Sequence, residues 1–284
     1  MNRVSCSVQG DYSFSRCLFF GNPNNPITGS GGAIYLSNNQ ATLTVESCQF
    51  HLLAVTNSGG AIYTNYLSNV NITDSFFNGC RAPVSQVGGV GAVFIIQCSQ
   101  PLVQNCLFTS CICSLDGGAV YFGDCSCSWH NGIAAQNSQF LSCKCTGENY
   151  RSDISDGGGI MTWGNTHLIG VRNCLFFNCH CYKGGGIYLY IPSSRDLTPI
   201  QFCFLNKNTG TYGNDVFVNF AFSLGWTKIF LHSFTTGSPS ILGENSGSPR
   251  HVANNWLPLT IRTVELSCCK TNRHLGVSLL WSHI

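Results

Sequence analysis

Residues Ser30–Asn38 read SGGAIYLSN. Two glycines open the stretch, alanine follows, and Ile34-Tyr35-Leu36 closes it as a short strand. Close variants recur: SGGAIYTN from Ser58, VGAVFII from Val90, DGGAVYFG from Asp116, DGGGIMTW from Asp156 and KGGGIYLY from Lys183. Set in register on Ala33, Ala61, Ala92, Ala119, Gly159, Gly186 and the weaker Asp215, successive copies lie 27 to 40 residues apart. Most of these steps fall in the high twenties, a period that marks a repeat architecture.

A second anchor keeps pace with the first. Phe19, Phe50, Phe77, Phe108, Phe140, Phe176 and Phe204 recur with it, each but the first 16 to 21 residues after a glycine phrase. Five before the first six phenylalanines sit Phe14, Val45, Ile72, Val103, Ala135 and Val171, and two before sit Cys17, Cys48, Ser75, Cys106, Ser138 and Cys174. A spacing of two marks one face of a strand. The change from odd to even offset requires a bend in between. At minus three the later repeats place Asp74, Asn105, Asn137 and Asn173, residue types that tolerate the left-handed conformation.

Each repeat therefore reads as three short strands, GGAIYL, LxV and CxF, with no helical period and no room for a crossover helix. Stacked coils of such strands form an all-β, right-handed parallel β-helix. The phenylalanine column is expected to point inward. In the glycine phrase Ile34, Ile62, Val93, Val120, Ile160 and Ile187 are expected inside. Tyr35, Tyr63, Phe94, Tyr121, Met161, Tyr188 and Phe217 then form an aromatic ladder outside. The expected layout is a partial coil or leader over 1–10, about seven coils over 11–220, and an irregular cap or tail over 221–284.

Composition narrows the function. Of 284 residues 44% are hydrophobic and only 9% charged, with a net charge of +2, so nothing points to nucleic acid. No stretch reaches the ~18 uninterrupted apolar residues of a membrane-spanning helix. The opening MNRVSCSVQGDYSFSRCLFF lacks the basic start and apolar run of a signal peptide. Eighteen cysteines, an even and high count, point to an oxidising compartment, with buried thiols as the alternative. The chain is therefore expected to be a piece of a longer secreted or surface protein.

The GGA-[ILV] phrase paired with an F-x-x-N phrase resembles the repeats of chlamydial polymorphic outer membrane proteins and the β-helix surface proteins of trichomonad protists. SGGAI twice, DGGAV, and the looser VGAV and GGGI carry the first phrase. FFGN at Phe19–Asn22 carries the second in full, whereas FNGC, FTSC, FLSC and FFNC put cysteine in place of asparagine. The resemblance covers about Asp11 to Phe220. It implies a non-enzymatic, surface-displayed module that contacts a host-cell protein or carbohydrate. The membrane-inserting barrel and signal of that family are not matched here.

Candidate chemistry lies in three places. Cys111-x-Cys113, Cys143-x-Cys145 and Cys179-x-Cys181 fall after the phenylalanine in successive coils, with a fourth pair at Cys125-x-Cys127. Metal ligation, disulfides and buried thiols are all open readings, although metal sites more often use C-x-x-C, and no metal or other cofactor is expected. Asp116 and Asp156 share one slot, with Lys183 next in line. Carboxylates one strand spacing apart could bind a cation or act on a glycoside, as a polysaccharide lyase or hydrolase of this fold would. Alternatively they cap the bend before Gly-Gly, where Ser30 and Ser58 hold the slot earlier. Arg151 is a thin basic complement. Third, the outer rings, chiefly Tyr35, Tyr63, Phe94, Tyr121 and Tyr188, could bind a ligand, as could the loops Gly123–His130 and Lys144–Asp156.

Overall fold

The computed structural model describes residues 4–6, 9–83, 89–125, 133–146, 156–164, 170–191, 197–212, 214–220, 228–234, 241–245, 248–252, 262–268 and 275–280. Through residue 245 its strands pair in parallel and the chain winds as a parallel β-helix. The glycine-phrase strands stack from Val4–Cys6 through Ile34, Ile62, Val93, Val120, Ile160 and Ile187 to Val216–Phe220. A second ladder runs from Asp11–Ser15 through Leu43–Val45, Val70–Ile72 and Val103 to Ala135 and Val171. The phenylalanine strands make the third.

The bends fall where the side-chain offsets change. Asp74, Asn105, Asn137 and Asn173 all have φ between 50° and 53°. A second left-handed bend follows each phenylalanine strand, at Leu52, Gly79, Ser110, Ser142 and Asn178. It leads into a short strand that the three-strand reading omits. Arg81–Ala82, Ile112–Cys113, Lys144–Cys145, His180–Lys183 and Thr209–Tyr212 form a separate small parallel sheet. The second cysteine of three C-x-C pairs, Cys113, Cys145 and Cys181, lies on it, whereas Cys111, Cys143 and Cys179 precede its strands and belong to the main core.

Phe50, Phe77, Phe108, Phe140 and Phe176 are fully buried, stacked 4.6–5.0 Å apart with planes within 6° of parallel. Each buried ring contributes about 1.5–3 kcal/mol of burial. The column does not extend to Phe204. Leu205 pairs with Phe176 and is buried, while Phe204 pairs with Leu175. The one-residue shift hands the inward position to leucine, since a slip of one residue exchanges the two faces of a strand.

The polar repeats also have a structural task. Cys106 Sγ donates to the carbonyls of Gln104 (3.2 Å) and Ile72 (3.5 Å). Ser75 Oγ donates to Thr73 (2.7 Å) and accepts from the Cys48 N–H (3.1 Å). Cysteine and serine alternate in this column because either, being small, can satisfy the backbone groups that the bend leaves over. At the next bend Cys80, Cys111, Cys143 and Cys179 donate to the carbonyls of Phe50, Phe77, Phe108 and Phe140. Asn208 takes that place next, accepting from the Cys179 N–H (3.0 Å) and donating to Phe176 (3.1 Å).

Beyond Phe220 the sequence reading expects irregular chain, and the backbone differs. Ile241–Asn245 adds in parallel to Val216–Phe220, and Leu231 pairs in parallel with Ile200. Ser248–Val252, Arg262–Cys268 and Leu275–Leu280 then pair antiparallel. The glycine and phenylalanine anchors are missing there, so no period announces these strands. The exposed edge of the coil before them supplies the template.

Candidate functional site

Asp116, Asp156 and Lys183 do come into line, as parallel bridges on three successive coils. Each precedes a glycine in the left-handed region: Gly117 at φ 61°, Gly157 at 69° and Gly184 at 63°. The coils are tied there by Gly117 N–H to the Asp156 carbonyl and Gly157 N–H to the Lys183 carbonyl, both 2.9 Å. Burial pushes the Asp116 carboxyl up to about 7, opposed by a hydrogen bond it accepts from the Asp156 N–H. Asp156 is only 8% exposed. The Lys183 ammonium lies over the Phe217 ring, 5.4 Å from its centroid. Arg151 lies outside the described residues, as does most of Lys144–Asp156 and of Gly123–His130.

Behind this corner Cys113, Cys145 and Cys181 form a small buried cluster of their own. Cys145 Sγ donates to the carbonyls of Asp156 (3.6 Å) and Gly157 (3.5 Å). Burial pushes the Cys113 thiol up to about 11 and holds the Cys145 thiol well above its ordinary range. Of the three readings open to the C-x-C pairs, these two cysteines take that of buried thiols. A thiol held so far from its thiolate is a poor nucleophile.

The outward column is in register from Tyr35 to Phe217, yet it is not one exposed face. Tyr35, Tyr63 and Phe94 are half-buried, with rings stacked at 5.0 and 5.1 Å. Tyr121 (8% exposed) and Tyr188 (1%) are buried with Met161, Phe217 and Val90 in a second apolar cluster. The alternation of the strand fixes which way a ring points, but not what packs over it. As candidate ligand contacts, Tyr121 and Tyr188 are thereby corrected to packing residues.

Several exposed rings carry no sequence forecast. Trp163, 43% exposed, lies against Tyr190 with ring centroids 4.7 Å apart and planes tilted by 32°, and Tyr66 is exposed. Trp163 and Tyr190 each lie four residues after their glycine-phrase anchors, so the shared offset was available in the repeat. On the outside of the phenylalanine sheet Leu18 and Phe20 are exposed, with Phe20 stacked on His51 at 5.0 Å.

The class that this fold defines is the right-handed parallel β-helix protein. A family model described as the right handed beta helix region matches residues 4–126. No curated protein and no solved structure matches the chain. No helix among the described residues is long and apolar enough to cross a membrane.

Proposed function

We propose that the chain is a non-catalytic contact module, displayed at a cell surface or outside the cell, that binds a carbohydrate or protein surface. The observation that carries this reading is the flat stack of Tyr35, Tyr63 and Phe94. Its three rings are in register, nearly parallel and half open on the outside of the solenoid. Such a face offers sugar rings or an apolar protein patch a rigid platform at low cost in side-chain entropy. The corner supports the same reading. A general acid and nucleophile need access to substrate, whereas Asp156 is buried and Asp116 takes a backbone N–H.

The test is a screen of immobilised glycans and of cell surfaces with the purified chain. Tyr35→Ser and Tyr63→Ser are expected to abolish any signal found, with circular dichroism unchanged. Binding that survives both substitutions would remove the stack from the function.

A further inference from the structure

The small corner sheet has an outer face of its own. Lys144–Cys145, His180–Lys183 and Thr209–Tyr212 lie on three successive coils, with Lys144 paired to His180 and His180 to Thr209. Cys143, Cys145, Cys179, Cys181 and Asn208 are buried, so the alternating positions face out. Those positions hold Lys144, His180 and Thr209 in one column. Ser142, Asn178 and Lys207 form a second column on the left-handed bend before it, at φ 55–56°. All but half-buried Ser142 are exposed.

The chain has only 14 lysines and arginines, yet two lysines fall on this patch. No aspartate or glutamate occurs in residues 141–146, 177–183 or 206–212. Among the described residues neither Lys144 nor Lys207 has an ion pair. The Lys207 ammonium lies 5.4 Å from the centroid of the Phe177 ring, a contact that places the charge without neutralising it. Neutral donors stand beside the charges. Asn178 Nδ2 donates to Ser142 Oγ (3.0 Å), which leaves the serine O–H to donate outward. His180 Nδ1 shares a hydrogen bond with Thr209 Oγ1 (2.8 Å). When the threonine donates, the ring keeps an outer Nε2–H; when the ring donates, the threonine O–H is left. Either way one donor remains.

We propose that this face binds the sulfate esters of an anionic glycan chain. A sulfate ester carries one negative charge on three free oxygens and is held best by a cation with further donors around it. Lys144 beside Ser142, and Lys207 beside Asn178 and Thr209, provide that combination twice. The two lysines are two strand spacings apart along the solenoid, about 10 Å, so the patch serves successive esters of an extended chain rather than one ion. Two lysines neutralise too few phosphates to hold a nucleic acid duplex, whereas the hydroxyl and amide donors between them suit sugar oxygens. The face belongs to a different sheet from the Tyr35–Tyr63–Phe94 stack and does not depend on it.

Isothermal titration calorimetry of the full chain tests this with a heparin oligosaccharide, the same oligosaccharide after desulfation, and a short DNA duplex. At about 50 mM NaCl the heparin oligosaccharide is expected to bind, more weakly as salt rises, and the desulfated one to give no heat. The double variant Lys144→Gln, Lys207→Gln is expected to weaken binding roughly ten-fold or more, with circular dichroism unchanged because both side chains are exposed. Arg172→Gln, which removes an exposed charge from another ladder, is expected to leave binding intact. So is Tyr35→Ser with Tyr63→Ser, which separates this face from the tyrosine stack. No binding of the heparin oligosaccharide overturns the proposal. So does binding that the two lysine substitutions leave unchanged, that Arg172→Gln weakens as much, or that the DNA duplex matches.

Discussion

At Gly118 a Cβ would lie 2.1 Å from the Gly158 carbonyl oxygen and 2.8 Å from the Lys144 nitrogen. Both are backbone atoms of the neighbouring coil, so neither can swing aside. Gly118→Ala is expected to cost ~3 kcal/mol, read from denaturant unfolding. Gly10→Ala, with nothing within 4 Å, is expected to leave the midpoint unchanged. Asp116 supplies the second residue-scale prediction. Unfolded, it ionises near pH ~4; folded, burial holds its proton until about 7. Between those values the native state binds more protons than the unfolded one. Asp116 therefore subtracts stability as pH rises through that window, with the full loss above it. Asp116→Asn should accordingly raise Tm at pH ~8 and converge on wild type near pH ~4. A variant less stable at the higher pH would mean that the ionised carboxylate is welcome in the corner.

At the scale of the element, the phenylalanine stack and the cysteine columns share the interior. Phe108 stacks between Phe77 and Phe140 at 4.6 and 5.0 Å, and Phe108→Ala is expected to cost about 3–5 kcal/mol by calorimetry. The thiols of Cys80 and Cys106 are pushed up to about 12 by burial, and those of Cys143 and Cys179 stand well above the usual range. Iodoacetamide at mildly alkaline pH should label half-buried Cys17 in the native protein and reach these four only on unfolding, as read by mass spectrometry. Rapid native labelling of Cys143 would contradict the packing.

Much of this scale was legible in the repeat. The inward phenylalanines, the bend at Asp74, Asn105 and Asn137, and the alignment of Asp116 with Asp156 follow from side-chain period and fixed loop length. Three features were not. The fourth strand is two to four residues long, too short for a period to show. The shift from Phe204 to Leu205 follows the neighbouring coil rather than the local pattern. The burial of Tyr121 and Tyr188 depends on what lies over an outward face, which the alternation of one strand does not encode.

For the whole molecule, the solenoid separates tasks along its length. Its interior is a column of rings and thiols, and at its corner Asp156 is buried beside Asp116. The open chemistry is aromatic and lies outside, at Tyr35–Tyr63–Phe94 and Trp163–Tyr190. The central claim is that contact runs through those rings and that the aspartates are structural. The most direct test compares wild type with the double variant Asp116→Asn, Asp156→Asn on the ligand found by screening and on a panel of acidic polysaccharides. Ligand binding and release of sugar products would be measured in the same samples. The account predicts undiminished binding by the double variant and no polysaccharide cleavage by either protein. Cleavage by the wild type that disappears in the double variant would contradict it and make the corner an active site.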